Sequence, residues 1–367
     1  MTDTRLVKLA DVLVNYACAV KPGMWVGILG DVVTLPALRE VYHEVLRVGG
    51  NPSLFISDEY MSRLFLREAS DEQMAWLDPS MTLYYEKADV YIRIGSSSNT
   101  RSMTNIPAAR VQKLRAAQRY WLDTRLTRAA NLTFEWVGTW YPTEASAQEA
   151  NMSLEDYEDF VYSTMFLDKD NPAAEWKSLS AMQQKKVDWL KGKKLVKCVG
   201  PEIDLELSIE GRTFVNSDGH KNMPSGEIFT GPVEESVNGW VRFSYPSIVG
   251  GRAVSGIEIK FENGKVVAAS AESNDDLLQA QLNTDSGARY LGEFAIGTNF
   301  GINRFTGNIL FDEKIGGTIH MAIGMGYPET GSKNRSAVHW DMICDMRNDS
   351  EIYVDGELLY KNGQFVV

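Results

Sequence analysis

In SAVHWDMICDM, residues 336–346, an imidazole and a carboxylate stand two apart within a run of strand-forming residues. Val338, Trp340, Met342 and Ile343 predict a strand there. His339 and Asp341 therefore leave it on the same face, roughly 6.5–7 Å apart. Burying both costs desolvation energy unless something pairs them. That partner is either each other, as a structural ion pair, or a metal. A second histidine, His320, lies between Ile319 and Met321 in ILFDEKIGGTIHMAIGMGY, which also carries Glu313 and, after Gly-Met-Gly, Tyr327. Glu227 starts a strand after the Pro-Ser-Gly turn of NMPSGEIFTGPVEESVNG, and Glu293 sits inside the apolar run of ARYLGEFAIGTN. A glutamate is seldom fully buried alone. Taken singly, each has an ordinary structural reading: a strand-edge charge for Glu227, a turn residue for Glu313, a satisfied core histidine for His320. Taken together, His with Asp and Glu suit zinc, cobalt, manganese or iron. If Glu227, Glu293, Glu313 and Asp341 converge, their four negative charges balance two divalent cations, with both histidines neutral. That is the composition of a dinuclear hydrolase site, whose metals lie about 3.5–4 Å apart. His320, His339 and Asp341 alone also compose the 2-His-1-carboxylate set of a mononuclear iron(II) oxygenase. A non-catalytic, metal-stabilised binding protein is the third reading.

Other chemistries lack their residues. The glycines of GILGDVVTLP, Gly27 and Gly30, do not have the G-x-G-x-x-G spacing of a dinucleotide site, and the chain has neither a G-x-S-x-G elbow nor a Walker-A loop. Cys18, Cys198 and Cys344 are isolated and not in metal-ligand spacing, which suits a reducing cytoplasm. A formal charge of -12 argues against a nucleic-acid partner. No apolar run approaches a membrane span. Asp3, Asp11 and Asn15 interrupt the opening MTDTRLVKLADVLVNYACAV, which reads as an amphipathic helix with Leu6, Leu9, Leu13, Tyr16 and Val20 on one side rather than as a signal segment.

The elements that must position these side chains divide in two. At 367 residues the chain exceeds one ordinary core. We expect an N-terminal α/β domain over 1–193 and a β-rich α+β catalytic domain over 194–367. In the first, MWVGILG, PSLFIS and ADVYIRIG alternate with helical patterns, which predicts a mostly parallel sheet. A helical region then runs to about 194, with Ser153 and Asp156 forming a capping-box-like start to SLEDYEDFVYSTM. Beyond it come short strands and glycine turns, with ENGK as a hairpin signal.

Five blocks carry a resemblance: YPTEASAQEANMSLEDYEDFVY, PSGEIFTGPVEESVNG, LGEFAIGTN, FDEKIGGTIHMAIGMGY and SAVHWDMICDM. In this order the chain resembles the aminopeptidase T / aminopeptidase S family of dinuclear metallopeptidases from its first helix to its end. The resemblance implies metal ligation by Glu227, Glu293, His320, His339 and Asp341, with Glu293 as the bridge. Glu313 would be the further acidic ligand, two positions farther from its histidine than in the best-known members. Tyr327, seven after His320, falls on a tyrosine beside the metals, a donor for the tetrahedral oxyanion, and Glu227 or Glu293 would serve as general base. Also implied are two divalent ions (zinc, cobalt, manganese or magnesium), a homodimer, and hydrolysis of N-terminal residues from small peptides with a free N-terminus.

Overall fold

The computed structural model describes residues 3–249 and 251–367. Its contacts group the chain into two compact units: one runs up to Glu175 and takes in Gly219–Pro224, the other comprises Trp176–Asp218 and Ser225–Val367.

In the first unit, strands β1 (Trp25–Asp31), β2 (Asn51–Ser57), β3 (Val90–Gly95) and β4 (Glu135–Trp140) pair in parallel in the order β2-β1-β3-β4, and Asn222–Met223 adds a short parallel strand beside β4. Helices such as Leu35–Arg47 and Pro79–Lys87 link them, giving the α/β layer that the alternating pattern predicts. The opening segment is helical over Thr4–Asp11 and continues as a wider π-type turn over Val12–Ala17. Its stripe of Leu6, Leu9, Leu13, Tyr16 and Val20 is buried. The glycines of β1 serve packing. A Cβ on Gly27 would lie 2.1 Å from the ring of Tyr84, and one on Gly30 would lie 2.4 Å from the Thr34 hydroxyl. Tyr84 uses that space to donate to the Val90 carbonyl at 2.9 Å. Farther along, the Ser153 side chain caps helix Leu154–Thr164 by accepting from the Asp156 amide at 3.1 Å.

The second unit is built on two antiparallel sheets. One has eight strands and includes the Glu258–Glu262/Lys265–Ser270 hairpin, whose Asn263 and Gly264 both take positive φ as a type I′-like turn requires. The other has five strands in the order His339–Asp345, Thr318–Gly324, Leu291–Gly297, Glu227–Thr230, Val215–Ser217. Alternation along its strands sorts their side chains. Ile228, Phe294, Ile296, Ile319, Met321, Ile323, Trp340, Met342 and Cys344 enter a core shared with Leu205, Val241 and Ile259 of the larger sheet. Glu227, Glu293, His320, His339 and Asp341 leave from the opposite face. Leu291 and Glu293 stand two apart yet take different faces, because the pairing with Thr318–Gly324 shifts register between them.

Register also sets small residues beside the polar side chains. Glu227 pairs across the sheet with Gly297, His320 with Ala295 and His339 with Gly324, while Ala322 stands between Glu293 and Asp341. Each polar side chain thus has a neighbour too small to cover it. Gly297 is further constrained, since a Cβ there would lie 2.2 Å from the Ile315 carbonyl oxygen. Gly297→Ala is therefore expected to destabilise the fold by about 1–3 kcal/mol, the usual cost of overpacking. Thermal melting checks this against Gly138→Ala, where an added Cβ meets nothing within 4 Å. Equal melting temperatures for the two variants contradict it.

Candidate metal centre

Three adjacent strands, from the edge strand His339–Asp345 inward, and the first residue of a fourth bring the five side chains to one point. His320 Nε2 lies 3.3 Å from Glu227 Oε2 and 3.6 Å from Glu293 Oε1. His339 Nε2 lies 3.3 Å from Glu293 Oε2 and 3.6 Å from Asp341 Oδ2. Glu293 thus sends one oxygen toward each histidine. Ligand atoms of Glu227, Glu293 and His320 fall within 4.8 Å of one another, as do those of Glu293, His339 and Asp341, and those of Glu313, His320 and Asp341. Each triad could hold a cation, and the first two share Glu293.

Several details prepare the site for a metal. The ring nitrogen His339 Nδ1 is 2.8 Å from the Met325 carbonyl. Donation there fixes the tautomer and turns Nε2 toward the carboxylates, the second-shell arrangement usual for a metal-binding imidazole. Glu227 Oε2 and Asp341 Oδ1 are buried and have no hydrogen-bond donor among the described residues. A desolvated carboxylate oxygen without a donor is costly, and a cation removes that cost. The donor set, oxygen and imidazole nitrogen without thiolate, fits zinc, cobalt and manganese.

Glu313 approaches from outside the sheet. Helix Ile309–Asp312 is capped by the Asn308 side chain, which accepts from the Leu310 amide at 3.1 Å, and Glu313 follows as its C-cap. The Glu313 carboxylate contacts the ammonium of Lys314, which also lies 3.8 Å from Glu227 Oε1. Lys314 is wholly buried. Sequence reasoning missed it, although a lysine between FDE and IGGTIH, leading straight into an apolar strand, is itself a signal. Tyr327 follows the strand of His320, and its ring meets His339 edge-on with centroids 5.0 Å apart and Phe229 with centroids 5.6 Å apart. Cys18, Cys198 and Cys344 are buried thiols, none of them among these candidate ligands.

Electrostatics divides the groups. Burial pulls the His320 imidazole down, but the hydrogen bond to Glu293 and the charge of Glu227 outweigh it and lift it to about 9. Burial opposes the charge of His339 too, and Asp341 and Glu293 raise it to about 10. Glu293 resists its own burial through bonds to both histidines and is held down near 2. Burial raises Glu227 and Asp341 above the ordinary carboxylate range, against the pull of Lys314 on the first and His339 on the second. Burial and the surrounding carboxylates push the Tyr327 phenol well above its usual value, so its hydroxyl remains a donor.

This has a measurable consequence. Without metal, both imidazoles carry a proton at neutral pH and must release it to become ligands. Cation binding at pH 7 is expected to release at least two protons per chain, one from each imidazole and a further fraction from Glu227, which burial raises to about 7. Affinity should weaken as pH falls, because protons then compete for the same nitrogens, and strengthen as pH rises toward 10. Calorimetry in buffers of different ionisation enthalpy reads the proton count directly. A binding heat independent of buffer contradicts it.

The pattern of the thermophilic metalloprotease (M29) family matches residues 2–365, and the chain belongs to this family. It is 26% identical to aminopeptidase T of Thermus thermophilus over 98% of this chain and 95% of that protein. It is 33% identical to aminopeptidase 2 of Geobacillus stearothermophilus over 58% of this chain and 56% of that one. Among solved structures, wild-type AmpT from Thermus thermophilus superposes with a TM-score of 0.85 at 24% identity, covering 99% of both chains. The 2,5-dihydroxypyridine dioxygenase of Pseudomonas putida superposes with a TM-score of 0.56 at 13% identity, covering 99% of this chain and 96% of that one. Both likenesses concern the fold.

Proposed function

We infer that the protein is a metal-dependent aminopeptidase that removes N-terminal residues from small peptides, using two divalent cations held by Glu227, Glu293, His320, His339 and Asp341. The observation that carries this reading is the position of Glu293, whose two oxygens reach toward separate histidines and belong to two ligand triads. When bound, such cations polarise the scissile carbonyl and bring the pKa of a coordinated water from 15.7 toward about 7. The chain's own groups supply the rest. Glu227 or Glu293 would take the proton of that water as general base. The Tyr327 hydroxyl, kept protonated, donates to the oxyanion as the carbonyl carbon becomes tetrahedral.

The dioxygenase likeness in fold, together with His320, His339 and Asp341, favours a second reading as a mononuclear iron(II) ring-cleaving enzyme. Against it, Glu227 and Glu293 both crowd the histidines, giving two triads where one metal needs one. Offering the purified protein leucine p-nitroanilide and 2,5-dihydroxypyridine while following oxygen uptake separates the two. We expect p-nitroaniline release without oxygen consumption. Oxygen uptake on the pyridine supports the iron reading, and inertness toward both supports a binding protein. The isolated cysteines suggest a cytoplasmic protein and the family resemblance a homodimer, so the active preparation should sediment at twice the 41.1 kDa of one chain.

A further inference from the structure

Among the described side chains of this cluster, Lys314 alone is a lysine or arginine, an unusual neighbour for a cation site. Its side chain is 0% exposed. The backbone around it is pinned: its amide donates to the Phe311 carbonyl at 2.9 Å, and its carbonyl accepts from the Asn299 amide at 3.2 Å. The ammonium lies against Glu313 and faces Glu227 Oε1 at 3.8 Å, while Glu227 Oε2 lies 3.3 Å from His320 Nε2 without a hydrogen-bond donor among the described residues. The two oxygens of Glu227 are thereby given different tasks.

We propose that Lys314 is a positioning residue that takes Glu313 out of the metal ligands and leaves Glu227 one ligating oxygen, so that five side chains hold two divalent cations. The inference rests on the metallopeptidase reading. The third triad, Glu313 with His320 and Asp341, reuses two side chains that the other triads need. A cation there would also stand beside the ammonium, and like charges at such range repel strongly in a low-dielectric interior. The charge balance changes accordingly. Four carboxylates and one ammonium sum to three negative charges, so two divalent cations leave one positive charge, to be met by a single anionic ligand from outside the chain. A site whose four carboxylates faced no lysine would balance two divalent cations on its own.

The test is zinc stoichiometry and affinity, measured by competition with a chromophoric chelator on the full chain. Wild type should bind two zinc ions. Glu313→Gln should keep both, with affinities within about threefold, whereas loss of a true ligand exceeds the roughly 10–100-fold cost of losing an outer-shell partner. Lys314→Met, which frees Glu313, should bind zinc at least about tenfold more tightly or take up a third ion, and adding Glu313→Gln should reverse that gain. If Lys314→Met does not fold, Glu313→Gln decides alone. Loss of one zinc in Glu313→Gln overturns this inference and leaves the metallopeptidase reading standing. A wild type that binds no zinc overturns that reading, and this inference with it.

Discussion

Glu293→Gln is expected to lose metal, and with it more than about 100-fold of the peptidase activity, beyond what an outer-shell partner is worth. The side chain is 6% exposed within an apolar strand, with one oxygen 3.6 Å from His320 and the other 3.3 Å from His339. Both contacts favour the ionised carboxylate, which is held near 2 despite its burial. A neutral amide has one weak acceptor and one donor, so it cannot bridge two cations and presents an N–H to one ligand nitrogen. The variant should fold, because glutamine keeps the shape. Excess metal should rescue activity in part if the second triad keeps its cation. Metal content after dialysis, read beside kcat, checks this. Retention of both metals with full activity would remove the bridging role and require the ligand set to be redrawn.

Tyr327→Phe should fail in a different way. It is expected to keep near-normal metal content and KM while kcat falls about 100–1,000-fold, the range for losing one oxyanion donor. The ring is held by edge contacts to Phe229 and His339, which phenylalanine preserves. The hydroxyl stays protonated, because burial and the surrounding carboxylates both oppose its ionisation. An equal fall in kcat and kcat/KM marks an interaction made only in the transition state. Loss of metal in this variant would instead make the tyrosine a ligand.

Much of the site was legible because charged residues stand out in strands that should be apolar. His320 between Ile319 and Met321, and His339 two residues from Asp341, could be placed on a face from alternation alone. What stood opposite them could not. Strand register is a tertiary property, so the pairing of Ala322 with both Glu293 and Asp341 has no trace in local sequence. Lys314 was passed over for a related reason: lysine is almost never fully buried unless paired, and its partners, Glu313 aside, come from far along the chain. Gly27 and Gly30 posed the converse problem. Judged against a phosphate-binding pattern they looked incomplete, while their purpose is to admit Tyr84, Thr34 and Leu38. The parallel sheet of the first unit, by contrast, follows from the alternation of strand and helix patterns.

Stepwise return of zinc to exhaustively metal-free protein, with hydrolysis of leucine p-nitroanilide followed at each addition, shows whether two cations drive the hydrolysis. No hydrolysis is expected at zero metal and complete recovery at two ions per chain; full activity in the metal-free protein would contradict a metal-dependent peptidase.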